Sequence, residues 1–197
     1  MRLLLTALFV AAFSLSGQCQ NYVRVQNSFF LTGQPLFGIG YLHADEGDRW
    51  MYGLQLEGGR YIQHDHDLIN ASWESYSISG LSLVPEIRYY LSSNEDVLRG
   101  LFLAGFAHAR SMREYTMDGT PAQGHFRRGY SFGGGVAAGY TVGCGDTPLF
   151  VELLAGYGRA HAAWNSPSLP SDARTRAGTF DSATTLYRLE LALAYRF

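Results

Sequence analysis

Three groupings in the sequence carry residue types that could do chemistry. His64-Asp65-His66-Asp67 sets imidazole and carboxylate side by side, with His125 in the next expected loop and His108 and His161 on expected strands rising towards the same side. Such donors can hold a divalent metal. The run opens an expected external loop, though, and alternation points His64 and His66 the same way only if a strand continues there. Loop histidines are ordinarily solvated polar residues, so no metal site is expected. His108 with Ser111, and His161 with Ser166, bring a base near a hydroxyl, as a lipid hydrolase or acyltransferase would need. Both spacings are odd, which on a strand sends the two side chains to opposite faces. Neither pair has an evident orienting acid, so no catalytic residue is expected. Gly133-Gly134-Gly135 followed by Gly139 has the glycine spacing of a dinucleotide loop, but that motif needs a following helix and a downstream acid. The alternation from Tyr130 to Val142 supplies a strand instead. No cofactor is expected, and the glycines there are expected to leave inward room for Arg and Tyr side chains opposite.

The fourth grouping is dispersed: Arg24, Glu57, Glu86, Arg88, Glu152, Arg188, Glu190 and Arg196. What unites them is the segments that carry them. In Tyr187–Phe197, Tyr187, Leu189, Leu191, Leu193, Tyr195 and Phe197 fall on one face, with Arg188, Glu190, Ala192, Ala194 and Arg196 on the other. Period two marks a strand with one apolar and one polar side; a helix would scatter the leucines around its axis. The pattern recurs in Leu149–Tyr157, Tyr130–Val142, Leu81–Leu91, Trp50–Leu56, Phe37–Tyr41 and Val23–Phe29. Val97–Met117 fits less regularly, because Leu101 and Leu103 oppose Phe102 and Phe106. Short polar connectors (45–49, 92–96, 143–148) alternate with longer ones (65–71, 118–127, 165–182), with 32–35 a short exception. Residues 72–91 exceed one membrane crossing, and a bulge near Gly80 is expected. Pro85 lies awkwardly inside that strand, where it cannot complete the ladder.

These elements predict an all-β fold: a closed antiparallel up-and-down transmembrane β-barrel of about eight strands, with both chain ends on the periplasmic side. An interior of that size is filled by side chains. The eight charged residues point inward, four of each sign, and are expected to pair as a lumen network, since buried unpaired charge is costly. The rival readings are a narrow channel and a soluble lipocalin-like barrel with its apolar face inward. Aromatics favour the membrane: Trp50, Tyr89, Tyr140, Tyr195 and Phe197 near one set of strand ends, Tyr61, Trp73, Tyr130 and Trp164 near the other.

Composition agrees. The 197 residues are 14% aromatic but only 16% charged, with 23 glycines and no lysine. The net charge of -2 gives no electrostatic case for nucleic acid. Met1-Arg2, then an apolar run to Leu15, then small and polar residues make a secretory signal peptide. Cleavage fits after Ser16 or after Cys19; taking the second, residues 1–19 are leader and 20–197 barrel. Lipidation at Cys19 is disfavoured by Gln18, and loss of Cys19 leaves Cys144 without a disulfide partner.

The alternating terminus Leu189-x-Leu191-x-Leu193-x-Tyr195-x-Phe197 resembles that of small Gram-negative outer-membrane barrels of the OmpA/OmpX type. Val25-Gln26-Asn27-Ser28-Phe29-Phe30, Pro85-Glu86-Ile87-Arg88-Tyr89-Tyr90-Leu91 and the Gly-rich strand are similar to a group of such barrels carried as a domain of unknown function. The resemblance implies residence in the outer membrane, surrounding lipid as a partner, and Leu193, Tyr195 and Phe197 as the signal read by the barrel assembly machinery. It brings no activity. The larger relatives carry a peptidoglycan-binding domain after the barrel, and no such segment follows Phe197 here, so cell-wall anchoring is not expected. The expected role is non-enzymatic, in envelope structure or in surface contact through residues 165–182; a lipid-modifying enzyme is the alternative.

Overall fold

A strand has unpaired N–H and C=O groups along both edges, and in lipid only a sheet that closes on itself satisfies them all. In the computed structural model the chain does this with β1 (Cys19–Phe30), β2 (Gln34–Asp45), β3 (Trp50–Asp67), β4 (Ser72–Tyr90), β5 (Gly100–Thr116), β6 (Phe126–Gly143), β7 (Leu149–Asn165) and β8 (Phe180–Arg196). The structure describes residues 19–30, 34–45, 47–67, 72–91, 99–116, 126–165 and 180–197. Each strand pairs antiparallel with the next, and β8 returns to β1.

Tracing partners around the wall from Leu81 leads through Gly58, Phe37, Asn27, Leu191, Leu153, Tyr140 and Leu101. Leu101 accepts the backbone bond of Leu91 at 2.9 Å. The circuit thus returns to the fourth strand about ten residues further on, which for eight strands sets a tilt of roughly 40°. The lumen is then only wide enough for side chains.

The faces are inverted relative to a soluble protein. Val136 is 67% exposed, Phe37 64% and Phe132 63%, while Arg24 and Arg88 are fully buried. On β8 the outward set runs Tyr195, Leu193, Leu191, Leu189, Tyr187 and then Thr185; on β7 it ends at Tyr157 and gives way to exposed Arg159 and His161. That belt is about nine residues long, the length a tilted strand needs to cross the hydrocarbon. The rings of Trp50 and Tyr89 meet in a tilted contact with centroids 4.9 Å apart at the rim nearest the chain ends, where Tyr140, Tyr195 and Phe197 are also exposed. Tyr157 and Tyr187, 5.6 Å apart, close the belt on the other side. Tyr130 is exposed towards that second rim, whereas the side chains of Tyr61, Trp73 and Trp164 lie outside the described residues. An apolar exterior around a charged interior is a transmembrane arrangement.

Several expectations are corrected. β3 reaches Asp67 and pairs with β4 to its end, so His64-Asp65-His66-Asp67 is strand backbone rather than loop. β4 is 19 residues long and keeps one register with both neighbours through Gly80, so there is no bulge there. The irregularity falls instead at Pro85: the β4–β5 register skips Val84 and Pro85, since proline has no N–H to donate, and its exposed ring faces outward. β5 resolves with Leu101 and Leu103 outside and Phe102 and Phe106 buried inside. The space at Gly139 is taken by Phe102, not by Arg or Tyr: a Cβ there would stand 2.2 Å from the Phe102 ring. Residues 1–18 of the expected leader, His125 and the central part of the 165–182 connector lie outside the described residues.

Candidate functional site

Inward positions on five strands meet in the lumen. From β1, Arg24 donates to Glu152 of β7 and, at 2.9 Å, to Glu190 of β8, with Glu86 of β4 3.5 Å away. Arg88, on β4, forks onto both Glu152 oxygens at 2.7 and 2.8 Å and donates its Nε to Glu86 at 2.7 Å. Arg188, on β8, donates to Glu190, to Gln55 at 2.7 Å and to Glu86 at 3.4 Å. Gln26 ties in the β3 side, donating to Gln55 at 2.6 Å and Glu57 at 2.7 Å. All of these side chains are buried. Planar guanidinium forks on carboxylates give such pairs directional as well as Coulombic strength.

β2 makes the room. A Cβ at Gly40 would stand 3.0 Å from Arg24 Cγ and 3.2 Å from Gln55 Cγ; at Gly38, 3.0 Å from Gln26 Cγ and 3.1 Å from Glu57 Cγ. These two inward glycines form a bare strip of wall along which the long side chains cross the lumen. Below the network, towards the chain ends, Tyr22, Met51, Tyr90, Phe102 and Phe150 are buried as an apolar plug. Two guanidiniums rest on aromatic faces: Arg88 over Phe102 at 4.6 Å and Arg188 over Phe106 at 4.8 Å. Cation–π contact of this kind is strongest where water is excluded.

Of the eight charged residues singled out in the sequence, the structure joins Arg24, Glu86, Arg88, Glu152, Arg188 and Glu190 directly and Glu57 through Gln26. Arg196 stands apart, partly exposed, 5.8 Å over Phe150. Gln26, Gln55 and Arg110 are not among the charged residues expected to form the network. The two glutamines stand at inward parity beside Arg24 and Glu57, and their uncharged amides join it. Arg110 also lines the inner wall, its Nε 2.8 Å from where a Cβ on Gly80 would lie.

The other candidates do not converge. His108 is buried in the lumen, whereas Ser111 is exposed outside and so is His161; Ser166 lies outside the described residues. Among the described residues no three His, Cys, Asp or Glu side chains group to hold a metal. Leu193, Tyr195 and Phe197 line the outer face of the last strand, and the Phe197 N–H bonds Asn21 of β1 at 3.1 Å across the closing seam.

A family model described as protein of unknown function (DUF3575) matches residues 8–196. Among solved structures, a major outer membrane protein from Thermus thermophilus superposes with a TM-score of 0.56 at 13% identity, covering 91% of this chain and 99% of that one. CarO of Acinetobacter baumannii scores 0.48 at 10% identity, over 89% of this chain and 97% of its own. The N-terminal β-barrel domain of Pseudomonas aeruginosa OprF scores 0.43 at 10% identity, over 92% and 100%. The Thermus likeness shows a shared fold, that of an outer-membrane barrel. No curated protein matches the sequence.

Proposed function

We propose that this chain, which belongs to the DUF3575 family of proteins of unknown function, is a non-enzymatic barrel of the outer membrane, closed by its own side chains. Its role is in envelope structure or in contact at the cell surface through the connectors distal to the chain ends. The carrying observation is the buried, charge-balanced set Arg24, Arg88, Arg188 with Glu86, Glu152 and Glu190, which fills the lumen above an apolar plug. A conducting pore would need solvated charges and an open cross-section; here the charges satisfy one another. Opposite facing of His108 and Ser111 supports the non-enzymatic reading over a lipid hydrolase or acyltransferase. In this proposal residues 1–19 direct export, surrounding lipid is the solvent, and Leu193, Tyr195 and Phe197 are read by the assembly machinery.

Membrane fractionation with gel mobility before and after boiling tests the location; the protein should sediment with outer membranes and migrate faster unboiled. Planar-bilayer recording tests the plug. Large, stable unitary currents would overturn it, and turnover of added phospholipid or lipid A would overturn the non-enzymatic assignment.

A further inference from the structure

The eight seams of the wall are unequal, and the inequality gathers around one hairpin. β1 and β2 pair with each other over twelve residues, Cys19 with Asp45 through Phe30 with Gln34. β1 pairs with β8 over nine, Tyr22 with Arg196 through Phe30 with Arg188. β2 pairs with β3 over seven, Phe37 with Gly58 through His43 with Tyr52. By contrast, β6 pairs with β7, and β7 with β8, over sixteen. Gln34–Leu36 are strand residues paired to β1, and Gly59–Tyr61 are strand residues paired to β4, yet among the described residues the β2–β3 register stops short of both. Pro35 stands in that stretch and has no N–H with which to extend a ladder.

Side chains do not make good the difference. β2 turns Gly38 and Gly40 inward, so the middle of its inner face sends no side chain into the lumen. The β8 side of the hairpin is held by charge: Arg24 donates to Glu152 and, at 2.9 Å, to Glu190. On the β3 side the link passes from β1 over the bare strip, as the amide of Gln26 donating to Gln55 at 2.6 Å and to Glu57 at 2.7 Å. Arg24 brings its own charge to two carboxylates and Gln26 brings none, so the shortest ladder also has the weaker polar tie.

We propose that the β2–β3 seam is a lateral gate. It is the place where this wall opens, parting from its distal end while β1 and β2 stay paired and move together on β8. Opening turns Gln55 and Glu57 towards the surrounding membrane by a route that the apolar plug across the barrel axis does not govern. Unpaired backbone is costly in hydrocarbon, so the parted state is a minor one. Local openings of a folded protein begin where the fewest cooperative bonds must break, and here that is the seven-residue ladder.

Residue-resolved amide hydrogen exchange on the folded protein in detergent micelles tests this. Successive residues of an antiparallel strand bond alternately to its two neighbours, so β2 carries its own comparison at one depth. Within residues 37–43, amides directed at β3 should exchange at least about tenfold faster than those directed at β1, and faster than amides of the β6–β7 seam. Q26L should widen the difference at β2–β3 and leave β6–β7 unchanged. I39C/L56C in a C144S background joins direct partners across the seam; its oxidised form should abolish the difference and reduction should restore it. Equal exchange on the two sides of β2, earliest exchange at the β1–β8 seam or beside Pro85, or an effect of Q26L spread over all the strands would each overturn the proposal. Heat-dependent gel mobility shows that each sample is a closed barrel, and if Q26L does not fold, the wild-type comparison and the disulfide lock still decide.

Discussion

Glu152 ties two strands of the lumen network together, accepting from Arg24 and from both Nη groups of Arg88. Replacing it by alanine leaves two buried guanidiniums short of a counter-charge. Removing one partner of a buried ion pair ordinarily costs about 3–5 kcal/mol. Neither arginine is stripped entirely: Arg88 keeps Glu86 at 2.5 Å, and Arg24 keeps Glu190 at 2.9 Å and Glu86 at 3.5 Å. The cost of Glu152→Ala should therefore fall near the low end, about 3 kcal/mol, or roughly two decades in the unfolding equilibrium constant. Glu152→Gln keeps an acceptor oxygen and the shape, and should cost about half as much. The informative variant is Arg88→Met with Glu152→Met, which removes one charge of each sign and refills the space with apolar atoms. It should be more stable than Glu152→Ala alone, by about 1–2 kcal/mol. Urea unfolding in lipid vesicles, read by the heat-dependent gel shift, supplies all three values. If Glu152→Ala costs less than about 1 kcal/mol, or the double variant is the least stable of the set, the lumen is not a mutually compensating network and the reasoning fails.

Three further outcomes follow from the same structure. Leu191→Arg places a charge mid-belt on the lipid face, where Leu191 is 54% exposed, and should lower stability in vesicles by about 2–4 kcal/mol. Gly135→Ala should destabilise by about 1–3 kcal/mol, because its Cβ would meet the Tyr157 carbonyl oxygen at 2.2 Å; Gly58→Ala, whose nearest neighbour is 3.7 Å away, should be tolerated, and equal melting of the two would count against the β6–β7 packing described. Cys144 is exposed in the turn beside the chain ends, so a maleimide too bulky to cross the outer membrane should label it only after permeabilisation. Labelling of intact cells would reverse the orientation.

How much of this was legible in the sequence follows from what each feature depends on. Side-chain direction has a period of two and is set by the strand itself, so Leu189, Leu191 and Leu193 could be assigned outward and Arg188 and Glu190 inward from the last strand alone. Strand ends were less legible. β3, β7 and β8 all run past the point where alternation fades, because above the belt either face may be polar and backbone pairing continues without a hydrophobic signal. His64-Asp65-His66-Asp67 read as a loop for that reason: its residues are polar throughout, yet they pair with 72–75.

Which charges meet is a different kind of information. Arg24 and Glu152 are separated by 128 positions and Arg88 and Glu152 by 64, and nothing within either strand selects the partner. Selection comes from the stagger, a property of the closed circuit: shift one seam by two residues and every side chain keeps its face, yet each guanidinium slides about 7 Å along the wall and finds a different carboxylate. The same reasoning explains Phe102 and Phe106, which break the polar-inside rule. They lie on a strand whose inward face meets the bare backbone of β6, with Gly139 and Gly135 as their direct partners, so large rings are what that part of the lumen can hold. Parity alone could send them inward, but only the register shows that glycine waits there. A sequence of this kind therefore states which side chains are enclosed before it states what they enclose, and the step between the two is made by the closing of β8 on β1.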